Sequence, residues 1–275
     1  MAAPIEERFL EIDGIRVLLR GRPGEGPPVV FVHGNPTSSL DWVPFLERLP
    51  GPAVAFDLPG FGRSERPRPD RFDHSLGAYA GFVAELLAEL APDGYSLVVH
   101  DWGSVALVAA QRDPGRVRRL VVIDAVPLSG AYRWHWIARI WRRRGLGEAF
   151  NRAPSRFAVA QLLRLARPGL RPMPEPMIDA IWEGWDAGTR RAVLALYRSA
   201  DPDVREAAGG RLGELHGPAL VVWGEGDPYI SAADGRVFER RLSDVRFRLV
   251  ERAGHWPWID RPELIGEVNR FLAGG

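Results

Sequence analysis

The chain has 275 residues, of which 46% are hydrophobic and 26% are charged, as in an ordinary globular protein with a substantial core. Its net charge is +1, with 36 basic and 35 acidic residues, so composition gives no reason to expect a nucleic acid or an acidic partner. Because the chain has no cysteine, disulfides, thiol chemistry and zinc–thiolate sites are excluded.

The N-terminal segment from Met1 to Glu11 carries charged residues and lacks the apolar run of a secretory signal. No apolar stretch approaches the ~18 residues of a membrane-spanning helix. We therefore expect a soluble, cytoplasmic monomer or homodimer. We expect it to work without cofactor or metal on a small hydrophobic substrate and water, with no nucleic acid or membrane partner.

Eight short apolar or alternating runs predict strands. They are residues 9–13, 16–20, 29–32, 53–56, 97–99, 120–123, 219–223 and 245–250. Asp13-Gly14 joins the first two as a hairpin turn, and helical stretches alternate with the others. This pattern predicts a mostly parallel eight-stranded sheet flanked by helices, with ligands bound beyond the carboxyl ends of its strands.

Between the sixth and seventh predicted strands the chain is helical, rich in aromatic residues and interrupted by prolines. We predict a helical cap at residues 129–213, inserted between two parts of one α/β core at residues 1–128 and 214–275. Within the cap, residues 133–144 combine arginine with tryptophan, as membrane-surface helices do. A lid helix, with aromatic residues facing a pocket and arginines facing water, is the favoured interpretation because the rest of the chain supplies that pocket.

The stretch from Leu97 to Ser104 is the centre of the predicted site. Its buried strand passes abruptly into a helix, which projects the turn residue at the edge of the sheet, near N–H groups that can hold an anion. That turn residue is Asp101, at the position where a serine hydrolase has serine. Asp227 and His255 follow later predicted strands, so the chain order is nucleophile, acid, histidine.

With these motifs in register, the chain resembles α/β-hydrolases over essentially its whole length, in the branch with an aspartate nucleophile. The resemblance implies that Asp101 forms an alkyl ester with the substrate. Water activated by His255 then hydrolyses the ester, with Asp227 orienting the histidine. Backbone N–H groups of Asn35 and Trp102 are predicted to hold the oxyanion.

Two families with this nucleophile fit different parts of the chain. Tyr197, followed by arginine in the cap, resembles the second of the two proton-donating cap tyrosines of epoxide hydrolases, and Tyr132 is a weaker candidate for the first. Residues 33–39 (HGNPTSS) and 100–104 (HDWGS) look more like haloalkane dehalogenases, in which Asn35 and Trp102 correspond to donors for the halide.

Because Tyr197 has no evident role in a dehalogenase, epoxide hydrolysis to vicinal diols is the favoured prediction. Haloalkane dehalogenation with the same triad is the alternative. A third possibility is another hydrolase or a non-enzymatic ligand-binding member of the fold.

Two further residues are candidates with structural alternatives. Asp124 ends the sixth predicted strand, where some dehalogenases keep their catalytic acid, and a structural role is preferred for it. His33 flanks the centre and is a candidate binding residue, although stabilising its turn is the preferred role.

Overall fold

The computed structural model describes residues 4–152 and 154–274. These residues form eight strands: β1 (Glu6–Ile12), β2 (Ile15–Arg22), β3 (Val29–Val32), β4 (Ala53–Phe56), β5 (Tyr95–His100), β6 (Val117–Ile123), β7 (Ala219–Gly224) and β8 (Val245–Val250). Residues 1–3, 153 and 275, which the predicted domain boundaries include, lie outside the described residues.

The helices flank this sheet. They are α1 (Val43–Leu46), α2 (Leu76–Leu90), α3 (Val105–Ala110), α4 (Trp136–Trp141), α5 (Leu146–Arg152), α6 (Arg156–Arg164), α7 (Glu175–Gly184), α8 (Ala187–Ser199), α9 (Pro202–Ala208), α10 (Ala232–Arg241), α11 (Pro257–Asp260) and α12 (Glu263–Leu272).

The sheet has the order β1-β2-β4-β3-β5-β6-β7-β8 and confirms the predicted α/β-hydrolase architecture. Only β2 pairs antiparallel with its neighbours, β1 and β4, and the remaining pairs are parallel. Asp13 and Gly14 at the β1–β2 turn both have positive φ, as a two-residue hairpin of type I′ requires.

Apolar side chains pack on both faces of the sheet. Strands β3, β5 and β7 are buried along their whole length. Helices α2 and α3 contribute to the core on one face, and α1, α11 and α12 to the core on the other. Because both faces are covered, these strands read as uninterrupted apolar runs rather than as alternating ones.

One predicted helix differs from the structure. The sequence predicts a single helix from residue 37 or 38 to about residue 48, whereas Ser39–Trp42 form a 3₁₀ turn before the short α1. Pro44 explains the break, because proline lacks the N–H needed inside a helix but fits its first turn.

Helices α4 to α9 lie between β6 and β7 and cover the carboxyl edge of the sheet; we call them the cap helices. The cap boundaries at residues 129 and 213 stay a prediction. Over residues 4–152 and 154–274, none of the helices has the length and apolar content needed to cross a bilayer.

Candidate active site

The turn between β5 and α3 presents Asp101 to the cap. Its φ is +49°, a left-handed conformation that aspartate tolerates better than most residues do. Two glycines make room for this sharp turn. A Cβ on Gly34 would overlap the Asp101 side chain, and one on Gly103 would overlap the Val32 carbonyl oxygen. The strand–helix corner is thus built on close backbone packing, with Asp101 only 4% exposed.

Asp101, His255 and Asp227 meet at the carboxyl edge of the sheet. His255 Nδ1 hydrogen-bonds Asp227 Oδ2 at 2.8 Å, and His255 Nε2 lies 3.6 Å from Asp101 Oδ2. Asp227 is held in turn, because its Oδ1 accepts from the Tyr229 N–H at 2.8 Å and the Ile230 N–H at 3.2 Å. The histidine is therefore oriented by one carboxylate and faces the other.

Asp101 and His255 perturb the pKa of each other. Burial raises the pKa of Asp101, but the hydrogen bond and charge of His255 outweigh burial and leave the pKa below its ordinary value. Burial lowers the pKa of His255, but the charges and hydrogen bonds of Asp227 and Asp101 raise it well above its ordinary value. Asp101 is therefore held ionised, and the imidazolium form of His255 is stabilised while both carboxylates are charged.

Asp124 lies behind this pair and is fully buried. Its Oδ1 accepts from the Gly224 N–H at 2.9 Å. A carboxylate oxygen of Asp124, a carboxylate oxygen of Asp227 and a ring nitrogen of His255 all lie within 4.8 Å of one another. Burial and the charge of Asp227 raise the pKa of Asp124 well above its ordinary value, which favours the protonated form. Since Asp227 makes the direct bond to His255, the geometry favours Asp227 as the orienting acid and a supporting role for Asp124.

These three groups also stand close enough together to hold a metal ion. However, the direct 2.8 Å hydrogen bond between His255 and Asp227 occupies the space in which an ion would be coordinated. Their arrangement is that of an acid orienting a histidine.

Asn35 is one of the two residues whose backbone N–H is predicted to hold the oxyanion. Its backbone N–H donates to Asp101 Oδ1 at 2.8 Å. That oxygen is thereby polarised, while Oδ2 faces His255. The Asn35 side chain lines the cavity above Asp101, and its Oδ1 has no hydrogen-bond partner among the described residues.

Trp102 is completely buried, and its indole N–H has no hydrogen-bond partner among the described residues. Its ring stacks on Trp134 at 5.5 Å between centroids and meets the Tyr197 ring edge-on at 5.0 Å. A buried N–H without an acceptor costs free energy, so such a group calls for a ligand or a functional reason.

Tyr197 on α8 lines the cavity and is 3% exposed. Burial raises the pKa of its phenol well above the ordinary value and the charge of Asp101 adds to this, while the Trp102 and Asn35 side chains act against it. The hydroxyl of Tyr197 thus keeps its proton, and Asp101, Trp102 and Asn35 are the neighbours that act on it.

Two predicted site residues are placed elsewhere. The Tyr132 hydroxyl donates to the Tyr229 carbonyl at 3.1 Å, and Tyr132 is not among the residues that line the cavity. Both ring nitrogens of His33 are bonded to backbone, Nδ1 with the Gly34 carbonyl at 2.7 Å and Nε2 with the Leu58 N–H at 3.0 Å. The Tyr132 hydroxyl thus directs its proton to the backbone and not to the cavity, which speaks against Tyr132 as a proton donor, and the two bonds of His33 stabilise its loop.

The cavity above Asp101 measures about 90 Å³, and cap residues from α4, α6 and α8 cover it. Most of its wall is apolar, which suits a hydrophobic substrate. The polar cavity residues that the sequence analysis missed include Tyr229 and His135. Tyr229 stands edge-on to His255 at 5.1 Å, and burial lowers the pKa of His135 to about 4, which keeps it neutral. The only sequence signal for either was an aromatic-rich cap and a tyrosine two residues after Asp227.

Comparison with known proteins agrees with this geometry. A family model described as alpha/beta hydrolase fold matches residues 27–262. A haloalkane dehalogenase of Mycobacterium marinum is 31% identical over 229 residues, which are 77% of this chain and 72% of the relative. A 2-hydroxy-6-oxo-2,4-heptadienoate hydrolase of Pseudomonas putida is 27% identical over 267 residues, covering 91% of this chain and 90% of the relative.

Among solved structures, a loop variant of the haloalkane dehalogenase DbeA from Bradyrhizobium elkanii superposes with a TM-score of 0.82 at 27% identity. The match covers 98% of this chain and 97% of that one. The chain belongs to the α/β-hydrolase fold family, and it is a hydrolase.

Proposed function

We propose that the protein hydrolyses carbon–halogen bonds of small haloalkanes through an ester on Asp101. The observation that carries the proposal is the buried indole N–H of Trp102, next in sequence to Asp101, which acts on the Tyr197 hydroxyl but has no acceptor at full hydrogen-bond geometry among the described residues. A halide that leaves carbon is an anion with no attached proton, and fixed N–H donors in a dry site stabilise it. The M. marinum and B. elkanii proteins, both named haloalkane dehalogenases, support this choice.

The first step is a displacement at saturated carbon. An oxygen of Asp101 forms a C–O bond to the substrate as the carbon–halogen bond breaks, and the halide leaves with the electron pair. Oδ2 is the better nucleophile, because Oδ1 is held by the Asn35 N–H. The low pKa of Asp101 keeps the carboxylate charged for this attack.

The second step hydrolyses the ester. Alkylation removes the negative charge of Asp101, one of the two that raise the pKa of His255, so the imidazolium then loses its proton more readily. Neutral His255 takes a proton from water, which adds to the carboxyl carbon of Asp101. The Asn35 N–H supports the oxyanion at Oδ1, and such donors contribute about 2.7–4 kcal/mol in comparable sites. As the tetrahedral intermediate collapses, the bond from the carboxyl carbon to the alkyl oxygen breaks and that oxygen takes the proton back from His255, so the product leaves as the alcohol. The Asp101 carboxyl then loses its proton to His255, which restores the carboxylate and the imidazolium.

A second candidate is the epoxide hydrolysis that the sequence favoured, and the Tyr197 hydroxyl in the cavity is the observation on its side. An opened epoxide leaves as an alkoxide, which needs a proton, and Tyr197 carries one. The same hydroxyl also serves a dehalogenase, because an O–H beside Trp102 and Asn35 is a third donor for the halide. Tyr197 therefore no longer argues against dehalogenation.

The proposal is tested by measuring bromide from 1-bromobutane and diol from 1,2-epoxybutane with the same enzyme preparation. We expect bromide release, with the Asp101→Asn variant inactive. A His255→Gln variant should accumulate one butyl group on Asp101, detectable by mass spectrometry of the peptide. Diol formation without bromide from any of a panel of haloalkanes would establish the second candidate instead.

A further inference from the structure

A second cavity of about 520 Å³ adjoins the catalytic cavity, between the loop after Asn35 and cap helix α7. Pro36 and Ile181 belong to the walls of both cavities, so the two cavities adjoin at these residues. We call the larger cavity the groove. Because the catalytic cavity measures only about 90 Å³, it suits the reacting end of a molecule, and the groove has room for the remainder.

The wall of the groove is mostly apolar and carries one charged side chain among its described residues. Prolines, Met177 and Ile181 contribute from the α7 side, and Trp258, Ile259 and Ile265 from the opposite side. Among the described residues that line the groove, Asp41 alone carries a charged side chain. A mostly apolar wall with a single acid is selective, because the acid binds a positively charged group on a substrate and repels a negatively charged one.

Asp41 is about nine-tenths buried and its carboxylate is only half satisfied. Oδ2 accepts from the Thr37 hydroxyl at 2.6 Å. The Trp256 indole N–H also acts on the carboxylate and lowers its pKa, although it does not reach full hydrogen-bond geometry. Oδ1 therefore has capacity for a stronger donor that enters from the groove.

No cation in the described wall compensates this acid. Burial raises the pKa of Asp41 to about 7, with the charge of Asp101 acting in the same direction and Thr37, Trp256 and His255 acting against it. A carboxyl with a pKa of about 7 is partly protonated near neutral pH, and an approaching cation favours its ionised form. A carboxylate at the same place would meet like-charge repulsion and lose its own hydration.

We propose that the groove is the subsite for the tail of the substrate and that Asp41 recognises an ammonium group at the end of its apolar chain. The inference rests on the proposed function for the reacting end. The halogenated carbon occupies the catalytic cavity, the alkyl chain crosses between Pro36 and Ile181, and the ammonium binds Asp41 Oδ1. Substrates that end in a carboxylate are rejected at this position.

Binding of unreactive probes tests the subsite independently of turnover. Isothermal titration calorimetry at pH 8 compares n-hexylammonium, 1-hexanol and hexanoate, with n-butyl- and n-octylammonium to set the chain length. We expect n-hexylammonium to bind at least about tenfold more tightly than hexanoate, which corresponds to about 1.4 kcal/mol. In Asp41→Asn, which keeps an acceptor for Thr37, the affinities for n-hexylammonium and hexanoate should differ by less than about threefold. In Met177→Leu, the control variant in the groove, the preference for n-hexylammonium should persist.

The preference should also grow between pH 6 and pH 8, as the Asp41 carboxyl ionises while the ammonium stays protonated. His255 and Asp101 are the titratable groups that act on Asp41, and the wall contributed by α7, α11 and α12 has no charged side chain among its described residues. Equal binding of the two probes by the unaltered protein, or a preference that survives Asp41→Asn, would overturn the subsite.

A parallel measurement of bromide from 6-bromohexylammonium and 6-bromohexanoate separates the two claims. No bromide from either, together with Asp41-dependent binding of n-hexylammonium, contradicts the proposed reaction and supports the subsite. Bromide release at equal kcat/KM from both contradicts the subsite and supports the reaction.

Discussion

Replacing Trp102 by phenylalanine tests the donor that the proposed reaction depends on most. The substitution keeps an aromatic ring between Trp134 and Tyr197 but removes the indole N–H, which has no partner among the described residues. Removing one donor to a developing anion typically lowers kcat by about 10²–10³-fold, or about 2.7–4 kcal/mol. Since Asn35 and Tyr197 remain as donors, we expect the lower end of this range, about 10²-fold, for bromide release from 1-bromobutane.

The loss should depend on the halide. Chloride is the smaller anion and the poorer leaving group, so it needs the hydrogen bond more than iodide does, and kcat/KM should fall most for 1-chlorobutane. The measurement is steady-state halide release for the chloro, bromo and iodo compounds. Any turnover of 1,2-epoxybutane should fall less, because its alkoxide takes a proton from Tyr197.

Trp134→Phe is the matched control. Trp134 also has a buried indole N–H without a partner among the described residues, but it is not adjacent in sequence to Asp101, and its N–H is not one of the groups that act on the Tyr197 hydroxyl. We expect its halide release to stay within about threefold of the unaltered enzyme. If Trp102→Phe is folded by circular dichroism and releases bromide at more than about a third of the unaltered rate, the indole N–H is not the halide donor.

Two other expectations concern the neighbours of Asp101. Gly34→Ala should abolish activity with a modest loss of Tm, because the new Cβ overlaps the Asp101 side chain. Gly115→Ala is the control, since Gly115 has open space around it, and it should change neither activity nor Tm. Equal activity in the two variants would contradict the close packing of Gly34 against Asp101. Burial raises the pKa of Asp124, so the folding stability that this group contributes is present below about pH 4 and is lost as the pH rises, by at most about 1.4 kcal/mol per pH unit. Asp124→Asn should therefore flatten the decline in the free energy of unfolding, measured with urea between pH 5 and pH 8. An unchanged slope would show that Asp124 is ionised in the folded protein.

The sheet and the catalytic corner could be predicted from sequence because local patterns determine them. The run Val29–Val32 is apolar on both faces, and a strand with such a pattern has to lie inside a covered parallel sheet. The chain order of Asp101, Asp227 and His255 then brings the three to one edge, since parallel strands end on the same side. Their 2.8 Å and 3.6 Å contacts follow from that topology.

The cap side of the site could not be predicted in the same way. Tyr132 and Tyr197 are both cap tyrosines with similar local sequence environments, and only helix packing sends one hydroxyl to a backbone carbonyl and the other to Asp101. Asp41 gave no signal at all, because its setting depends on α7, which is more than a hundred residues away in sequence. Sequence patterns report burial along one element, whereas these positions depend on how distant elements dock.

The position of Tyr197 also explains why the sequence left two reactions open. Its phenol holds its proton strongly, and it lies with two N–H donors beside the nucleophile. A departing halide is a weak base, so the phenol donates a hydrogen bond to it and keeps the proton. A departing alkoxide is a strong base and takes the proton from the same O–H. One set of side chains is therefore compatible with both leaving groups. The Trp102 N–H distinguishes them, because it should lower the barrier strongly for a departing anion and only weakly for an oxygen that is protonated as it leaves.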